Sequence, residues 1–398
     1  MRIVLGVGAG IAAYKACELL RLLTESGHEV RVIPTPDSLR FVGAATWEAL
    51  SGQPVSTSAW DDVPGVPHVR IGQRADLVLI APATADLLAR AAAGLAPDLL
   101  GNVLLTARCP VVYAPAMHTE MWRHPATAAN VATLRGRGAI VLEPASGRLT
   151  GPDTGPGRLP EPGEIYLTAM RVLARGAAGL APDLAGRKVV VSAGGTREEI
   201  DPVRFIGNWS SGLQGYALAR VAAARGADVT LVAAVTSLPD PAGVRVVGVV
   251  SAAEMREAMT AAASSADAVV MAAAVADYRP ATRSAVKLKK TPAPPEPIPL
   301  AVNPDILREL SGPLRRPGQV VVGFGAETGD LIANGRAKLA AKGCDLLVVN
   351  RVGDGLAFGT PDNEAEILTA DGQRVSVPHG PKEALADVIW DLVAARLR

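Results

Sequence analysis

Short apolar runs recur along the chain, separated by longer stretches in which apolar residues follow a helical spacing. The runs are rich in Val, Ile and Leu without polar alternation, which is typical of parallel strands covered on both faces. The strands predicted in the first half are residues 3–7, 30–33, 77–80, 111–114 and 140–142. Those predicted in the second half are residues 188–191, 228–232, 244–247, 268–271, 320–324 and 346–349.

The stretches between the strands predict helices, for example over residues 11–26, 86–93, 162–175 and 215–224. Alternating strands and helices favour an α/β fold built on doubly wound, mainly parallel sheets with right-handed crossovers. A run rich in Gly, Ala and Pro, residues 176–183, predicts a linker between two such sheets. We therefore expect two domains, residues 1–183 and 184–398.

Charge and cysteine content narrow the class of protein further. The 40 Lys and Arg residues against 39 Asp and Glu give a net charge of +1, so nothing indicates a nucleic-acid or membrane-surface partner. The three cysteines lack the spacing of a metal site, which fits a reduced compartment. No uncharged apolar stretch reaches spanning length, and the first apolar run is a strand rather than a signal peptide. These features predict a soluble, cytoplasmic protein.

A glycine-rich turn, Gly6-Val-Gly-Ala-Gly10, joins the first strand to the first helix. A nucleotide phosphate fits such a helix N-terminus. However, the glycine spacing departs from Gly-x-Gly-x-x-Gly, and the second strand ends in Pro34-Thr-Pro36 without an acidic residue for a ribose. We therefore rank a mononucleotide such as FMN above NAD, with an NAD(P)-dependent oxidoreductase as the alternative.

Polar segments follow two later strands of the first half, at the sheet edge where α/β proteins bind ligands. They are Ala81-Pro-Ala-Thr-Ala-Asp86 and Ala114-Pro-Ala-Met-His-Thr-Glu-Met-Trp122. A loop rich in Gly and Pro, residues 149–159, is too long for a tight turn and predicts a flap. His68, in a loop ahead of the third strand, is a candidate for acid–base chemistry.

In the second half, the densest polar segment comes directly after the first strand. The paired glycines of Ser192-Ala-Gly-Gly-Thr196 allow close approach of a ligand, and a series of directed donors follows before a helix begins. Asp277, after a later strand, is a candidate Mg²⁺ ligand on a triphosphate. Lys287 begins a basic cluster that predicts either a flap over phosphates or a solvated loop. Lys338 and Lys342 share one face of a later helix.

The segment 194–212, Gly-Gly-Thr-Arg-Glu-Glu-Ile-Asp-Pro-Val-Arg-Phe-Ile-Gly-Asn-Trp-Ser-Ser-Gly, closely resembles phosphopantothenate–cysteine ligase, one half of the bifunctional coenzyme A biosynthesis proteins. The first half of the chain is similar to their other half, the flavin-containing phosphopantothenoylcysteine decarboxylases. That similarity includes the glycine turn, the Pro-Ala-Thr and Pro-Ala-Met segments and His68-Val-Arg-Ile71. The resemblance covers nearly the whole chain. It implies a flavodoxin-like flavin-binding cysteine decarboxylase domain followed by a Rossmann-like ligase domain.

The resemblance also implies residues for each site. The decarboxylase histidine matches His68, and the FMN contacts match Gly10, Ile11, Thr35, Ala83, Thr84 and Met117. The CTP contacts match Met271, Ala272, Ala273, Asp277, Lys287, Asn303, Pro304, Asp305, Ile306, Phe324, Lys338 and Lys342. The residues that handle the acyl-cytidylate match Asn208 and Arg204, and the phosphopantothenate contacts match Gly195 and Asn208. Lys287 is the implied catalytic flap lysine, and Asp277 is the implied ligand of Mg²⁺.

In that family the carboxylate of 4'-phosphopantothenate attacks the α-phosphorus of CTP, while Mg²⁺ and lysines offset charge on the phosphates. Cysteine then displaces CMP and forms 4'-phosphopantothenoylcysteine. FMN oxidises the cysteinyl thiol towards a thioaldehyde, CO₂ leaves, and the hydride returns to give 4'-phosphopantetheine. The resemblance further implies a homo-oligomer, a dodecamer built from three-fold and two-fold contacts.

Two positions depart from the decarboxylase pattern. His118 stands where the family commonly has Asn, and Gly151 stands at the loop position of a proton-donating cysteine. Asp153, His118 or water could supply that proton, whereas Cys109 at the start of a strand is interpreted as a core residue. A ligase whose first domain is a non-catalytic flavin-binding or regulatory module therefore stays open as an alternative.

Overall fold

The computed structural model describes residues 1–58, 66–149, 154–176, 182–289, 297–327, 329–353 and 359–397. The chain divides into two units, Met1–Ala181 and Pro182–Arg398. The buried strands of each unit form a central sheet, and helices pack against both faces of each sheet. Among the helices of the described ranges, none has both the length and the apolarity needed to cross a membrane.

The buried apolar runs of the first unit form a parallel sheet. Its strands stand in the order β2-β1-β3-β4-β5, which is the order of flavodoxin-like folds. The order reverses between β1 and β3, and ligands of such folds bind beyond the carboxyl ends of the strands at that point. The strands of this unit are β1 (Arg2–Val7), β2 (Glu29–Pro34), β3 (Leu77–Ala83), β4 (Val111–Pro115), β5 (Ile140–Val141), and the antiparallel pair β6 (Ala145–Arg148) and β7 (Thr154–Arg158).

Helices cover both faces of this sheet and produce two apolar clusters. Leu5 and Trp47 belong to one cluster, and Val4 and Leu100 belong to the other. Neighbouring residues of β1 join different clusters because successive side chains of a strand point to opposite faces. The helices are α1 (Lys15–Glu25), α2 (Ala44–Ser51), α3 (Pro67–Arg74), α4 (Ala85–Ala93), α5 (Leu99–Thr106), α6 (Thr119–Arg123), α7 (Pro125–Gly136) and α8 (Pro162–Arg175), with 3-10 turns at Ile11–Tyr14 and Pro36–Arg40.

The second unit is built on a larger sheet, ordered β12-β11-β8-β13-β16-β17-β18-β19. Its six parallel strands, ranked along the chain, give the Rossmann order 3-2-1-4-5-6, with the reversal between β8 and β13. The last two strands are antiparallel. The strands are β8 (Lys188–Ala193), β9 (Arg197–Glu199), β10 (Phe205–Gly207), β11 (Asp228–Ala233), β12 (Val244–Gly248), β13 (Ala268–Met271), β14 (Tyr278–Pro280), β15 (Leu300–Val302), β16 (Val320–Glu327), β17 (Leu346–Arg351), β18 (Asp362–Thr369) and β19 (Arg374–Pro381).

Helices of the second unit again cover both faces of the sheet. On one face, α13 packs beside α9, and the indole Nε1 of Trp390 donates to the carbonyl of Leu218 at 2.9 Å. Two small antiparallel hairpins, β9–β10 and β14–β15, lie outside the main sheet. The helices are α9 (Leu213–Ala224), α10 (Ala252–Ala263), α11 (Ile306–Ser311), α12 (Leu331–Lys342) and α13 (Lys382–Arg396).

The predicted fold class, two doubly wound and mainly parallel α/β sheets, is confirmed, and every predicted strand overlaps an observed strand. Two details differ. The predicted helix 11–26 begins as a 3-10 turn, and α1 itself starts at Lys15. The antiparallel strands β18 and β19 were not predicted. Most of the predicted linker, residues 177–181, lies outside the described residues.

Candidate active sites

A cavity of about 890 Å³ opens beyond the carboxyl ends of the strands of the first unit. Each of four neighbouring strands contributes through the segment that follows it, so residues far apart in sequence meet there. The contributing residues include Gly10 after β1, Thr35 after β2, Thr84 after β3 and Met117 after β4. Of the predicted FMN contacts, these four and Ile11 line the cavity, whereas Ala83 is fully buried within β3 and does not.

The glycine turn after β1 lies directly against the loop after β3. The N–H of Gly8 donates to the carbonyl of Pro82 at 3.0 Å. A Cβ added at Gly8 would lie 2.5 Å from that same oxygen, closer than real Cβ contacts come. Only glycine therefore lets the two loops meet at the floor of the cavity.

Thr35 and Thr84 both line the cavity, and their hydroxyl groups differ in hydrogen bonding. Thr84 caps α4, since its Oγ1 accepts from the N–H of Leu87 at 3.3 Å. Thr35 is 3% exposed, and its Oγ1 is a buried atom for which the described residues supply no hydrogen-bond partner. Buried hydroxyls normally have a partner. A ligand with a polar atom at this end of the cavity fits the Thr35 hydroxyl.

The β6–β7 hairpin borders the cavity and is fixed to the segment after β4. The N–H of Met117 donates to the carbonyl of Gly157 at 2.9 Å. Gly157 has a φ of +149°, and an added Cβ would lie 2.3 Å from the carbonyl of Met117. This hairpin corresponds to the predicted flap. Gly151 and Asp153 lie outside the described residues.

Charged residues that the sequence analysis did not single out also line this cavity. Arg90 pairs with Asp86 at 2.7 Å and with Asp98 at 3.0 Å. Lys15 pairs with Glu161 at 3.0 Å, and Glu161 also pairs with Arg158. Two of these ion pairs, Lys15–Glu161 and Arg90–Asp98, join residues of different elements. Sequence spacing alone therefore does not predict them.

His68 does not line the cavity of its own unit. It lies in the first turn of α3 rather than in the predicted loop, because Pro67 suits the first helical position. Its carbonyl accepts from Thr106 Oγ1 at 2.8 Å, and its Nδ1 is buried without a hydrogen-bond partner among the described residues. The structure therefore fixes the backbone of His68 but does not bring its ring to the other predicted residues.

Cys109 lies away from the cavity, just before β4, and borders a shallow depression near Met1 and Asp76. Burial raises the pKa of its thiol, and the carboxylate of Asp76 acts in the same direction, whereas backbone hydrogen bonds lower it. Cys109 packs against an apolar cluster but is only half-buried, so it lies at the edge of the core in which the sequence placed it.

A second cavity, of about 800 Å³, lies beyond the carboxyl ends of the parallel strands of the second unit. It brings together residues that follow β8, β13, β16 and β17. All of the predicted CTP contacts except Lys287 line it, and Asn208 does as well. The predicted residues that line it are Asn208, Met271, Ala272, Ala273, Asp277, Asn303, Pro304, Asp305, Ile306, Phe324, Lys338 and Lys342.

The loop after β13, residues 272–277, is held through its main chain. Ser192 Oγ accepts from the N–H of Ala273, and Thr196 Oγ1 accepts from the N–H of Ala276, both at 3.0 Å. The amide of Asn303 donates to the carbonyl of Ala276 at 2.8 Å. These hydrogen bonds to its main chain hold the loop in place.

Asn208 belongs to the same set of contacts. Its Nδ2 donates to the carbonyl of Val275 at 3.1 Å, which joins the predicted catalytic asparagine to the loop after β13. Gly195 lies beneath it, and an added Cβ there would lie 2.9 Å from the carbonyl of Asn208. The predicted residues Gly195 and Asn208 therefore lie against one another, with only Asn208 reaching the cavity.

Both lysines of α12 reach the second cavity. Lys342 pairs with Asp305, whose other oxygen caps α11 through the N–H of Arg308 at 3.1 Å. Lys338 lies against Gly325, where an added Cβ would lie 3.4 Å from the lysine Nζ. Their spacing by one helical turn puts both residues on the side of the helix that lines the cavity, in agreement with the shared face predicted from the sequence.

Asp277 is exposed and lines the cavity. Within the described ranges, no group of three or more His, Cys, Asp or Glu residues could hold a metal ion. A Mg²⁺ ion that arrives on nucleotide phosphates needs only one or two carboxylates from the protein. The donor set at this cavity fits that mode of binding and not a protein-only metal centre.

Lys382, Gln214 and Asn363 also line the second cavity and form a network. Lys382 is 4% exposed, and its Nζ donates to the carbonyls of Thr360 at 2.6 Å and Asp362 at 2.8 Å. Burial lowers the pKa of its ammonium group, although Asp362 and Glu383 act in the opposite direction. Gln214 Nε2 donates to the carbonyl of Lys382, and Asn363 donates to Gln214. The sequence did not point to Lys382 and Gln214. Each stands near the start of a helix, and the two helices are far apart in sequence, so no motif or spacing connects them.

Like Gly195, Arg204 and Lys287 do not line the second cavity, in contrast to the other residues implied for the ligase. Arg204 lies at the turn between β9 and β10, and Lys287 lies on the segment between β14 and β15. Both are exposed. The guanidinium of Arg204 donates to the carbonyl of Leu288, so the two predicted residues are close to one another even though they are apart from the cavity lining.

Both units match known families. Residues 1–173 match the family model "Flavoprotein", and residues 184–397 match "DNA/pantothenate metabolism flavoprotein C-terminal domain". The coenzyme A biosynthesis bifunctional protein CoaBC of Mycobacterium tuberculosis is 59% identical over 406 residues, covering 100% of this chain and 97% of that protein. The protein of the same name from Vibrio cholerae is 42% identical over 396 residues, covering 98% and 97%. The crystal structure of a CoaBC C-terminal domain is 34% identical, with a TM-score of 0.46, and the match covers 55% of this chain and 98% of that chain.

The matches extend over the full length of the chain and of its relatives, and they bear out the predicted family and its pairing of two activities. The chain belongs to the family of coenzyme A biosynthesis bifunctional proteins, which combine a decarboxylase with a ligase.

Proposed function

We propose that the second unit ligates 4'-phosphopantothenate to cysteine at the expense of CTP, and that the first unit decarboxylates the product with FMN. The observation that supports this division is the presence of one large cavity per unit. Each cavity lies at the ligand-binding edge of its sheet and is lined by most of the residues that the sequence assigned to it. The match of residues 1–173 to a flavoprotein family supports FMN in the first unit.

In the first unit, the fit to FMN rests on the strand ends. The glycine turn and the start of the 3-10 turn offer backbone N–H groups to a phosphate, and the unpaired hydroxyl of Thr35 offers a hydrogen bond at the same edge. When bound, FMN supplies reversible hydride transfer at the cysteinyl carbon. Thr84 and Met117 border the space beside it, and the β6–β7 hairpin excludes water from one side.

The position of His68 bears on the assembly. Its ring is outside the cavity of its own chain, so for acid–base work it must meet a substrate held by another copy. We therefore propose that the enzyme is a homo-oligomer with the flavin at a subunit boundary. A dodecamer with three-fold contacts between decarboxylase units and two-fold contacts between ligase units meets this requirement. The group that takes the role of the loop cysteine at Gly151 is His118, Asp153 or water.

In the second unit, the loop 272–277 offers fixed backbone groups to the nucleotide, and Lys338 and Lys342 face its phosphates. Attack of the phosphopantothenate carboxylate on the α-phosphorus releases pyrophosphate, and Asp277 binds the Mg²⁺ that accompanies the phosphates. Cysteine nitrogen then attacks the acyl carbon, and CMP leaves. Asn208 and Arg204 handle the acyl-cytidylate, Asn208 and Gly195 contact the phosphopantothenate, and Lys287 reaches the site from its neighbouring segment.

The test is one incubation with two separate readouts. Full-length protein receives 4'-phosphopantothenate, cysteine, CTP and Mg²⁺, and CMP and CO₂ are quantified by mass spectrometry. We expect both, together with 4'-phosphopantetheine. CMP without CO₂ would favour the alternative in which the first unit binds flavin without catalysis, and absence of both products would refute the proposal. Recovery of the activity in the cytoplasmic fraction would test the expected location.

A further inference from the structure

Asp201 is a buried carboxylate at the turn between β9 and β10, and it has so far been assigned no role. Its side chain has no exposed area. One oxygen accepts from the N–H groups of Val203 at 2.8 Å and Arg204 at 2.9 Å, which closes the turn. These two bonds are an ordinary turn motif. The second oxygen makes a contact that the turn does not require.

That second oxygen accepts from the N–H of Leu288 at 3.2 Å, across 87 positions of sequence. The carbonyl of Leu288 in turn accepts from the guanidinium of Arg204, and Arg204 also pairs with Asp201 at 3.5 Å. Both polar backbone groups of Leu288 are therefore held by one ion pair. Leu288 follows Lys287 directly, so the pair fixes the chain at the residue next to the lysine.

A second anchor lies on the other side of Lys287. The N–H of Ser284 donates to the carbonyl of Ile200 at 2.9 Å, and Ser284 Oγ donates to the carbonyl of Val286 at 2.6 Å. The exposed segment 284–288 is thus tied at both ends to the turn 200–204. A long exposed connection can adopt many backbone conformations. These hydrogen bonds exclude most of those conformations around Lys287.

The surroundings of Asp201 favour the ionised form of its carboxyl group. Burial acts to raise the pKa of its carboxyl group, but the three backbone N–H donors and the Arg204 guanidinium together lower it below the usual value. The carboxylate is therefore able to hold Leu288 and Arg204 at the same time.

We propose that Asp201 is a positioning residue for ligation: it fixes the backbone on which Lys287 stands and orients Arg204, so that the lysine reaches the reacting phosphates in one geometry. This inference rests on the proposed role of Lys287. A catalytic group that is misplaced by about 1 Å loses roughly a hundredfold in rate. Asp201 acts through the lysine and touches no substrate.

The test compares Asp201→Asn, Lys287→Ala and the double variant in the full-length protein. Asn keeps the shape and loses the charge that holds Arg204. We expect Asp201→Asn to lower kcat for CMP formation about tenfold to a hundredfold, with KM for CTP within about threefold, since the lining of the nucleotide cavity is unchanged. The double variant should be no slower than Lys287→Ala, because a positioning residue has nothing to position once the lysine is gone.

The matched control is Asp371→Asn. Asp371 is another turn carboxylate with a lowered pKa, hydrogen-bonded to Thr369 and paired with Arg396 at 3.2 Å, and it lies outside the cavity lining. Its replacement should leave kcat unchanged. CO₂ release from supplied 4'-phosphopantothenoylcysteine and the thermal unfolding curve report whether each variant is folded.

Three outcomes would overturn the inference. Full kcat in Asp201→Asn beside a slow Lys287→Ala would refute the positioning role and leave the proposed ligase function standing. Full kcat in Lys287→Ala would show that the lysine has no catalytic role. The positioning role of Asp201 would then be refuted as well. A double variant slower than Lys287→Ala by the full Asp201→Asn factor would show that Asp201 acts elsewhere.

Discussion

Several side chains at or beside the second cavity form hydrogen bonds with the protein backbone. Ser192, Thr196, Asn208 and Asn303 each pair with a main-chain group of the loop after β13. The sequence pointed to Asn208 and Asn303 because polar residues after a buried strand indicate a ligand site. It could not show which backbone atoms these residues meet, since those contacts span 67 and 27 positions of sequence and form only once the sheet has formed.

Replacing Thr196 with Val should loosen that loop. The substitution keeps the shape but leaves the buried N–H of Ala276 without its acceptor. We expect the free energy of unfolding of the second unit to fall by about 1–3 kcal/mol and KM for CTP to rise. Urea titration and initial-rate kinetics measure the two effects. The exposed Ser264→Ala, which removes only a local bond to the carbonyl of Ala261, should change neither.

Thr35 allows a test of the first cavity that separates ligand binding from folding. Because its buried hydroxyl lacks a protein partner, Thr35→Val should leave the unfolding temperature of flavin-free protein unchanged or slightly raised. The same change should weaken FMN binding about tenfold, the equivalent of one hydrogen bond. Quenching of flavin fluorescence gives the affinity. Thr24→Val, in α1 and outside the cavity, should retain wild-type affinity; an equal loss in both variants would count against a Thr35–flavin contact.

The fully buried parallel strands were predicted well, and the antiparallel strands beside them were not. The difference lies in how much of each strand is buried. The parallel strands β1, β3, β8 and β13 are apolar along nearly their whole length, so composition alone marks them. β18 and β19 alternate buried and exposed positions and were passed over, although they extend the sheet. His68 lies in a helix rather than in the predicted loop because Pro67 occupies the first helical position, a signal that the prediction did not use.

The β6–β7 hairpin provides the prediction at the scale of an element. Gly157→Ala places a Cβ against the carbonyl of Met117 at a φ that side chains rarely adopt, a strain of about 1–3 kcal/mol. We expect the hairpin to move away from the cavity and CO₂ release to slow at least about tenfold, the effect of misplacing groups at a reacting centre. CMP formation by the second unit serves as the internal reference.

The matched variant is Gly163→Ala, in the first turn of α8. An added Cβ there meets nothing within 4 Å, and its φ is not positive. It should leave CO₂ release unchanged. Similar rates for the two variants would mean that the hairpin does not need its contact with Met117.

At the scale of the whole chain, each apolar cluster lies entirely within one unit. The sequence suggested two such units from its composition around residues 176–183, and the exact point of division stays a prediction. Asp183 contacts Arg225 of the second unit. Its carboxylate makes a two-pronged hydrogen bond to Arg225, which is 2% exposed and also pairs with Asp391 at 2.9 Å.

Separate expression of the second unit tests that contact. A piece that begins at Pro182 retains Asp183, and one that begins at Leu184 lacks it. We expect the shorter piece to unfold at lower urea concentration, with a loss of about 1–3 kcal/mol for a charged hydrogen-bonded pair. Asp183→Asn in the longer piece should reproduce part of that loss. Coincident unfolding curves for all three would show that the remaining carboxylates satisfy Arg225 alone.

The main-chain contacts of residues 272–277 have a consequence for inhibitors and for resistance to them. A compound that bonds to backbone atoms of this loop makes contacts that no side-chain substitution can delete directly. An escape mutation would have to shift the loop itself, and the residues that hold it are buried or paired on both sides. Such a mutant would lose stability and its own nucleotide affinity together, so resistance at this loop carries a fitness cost.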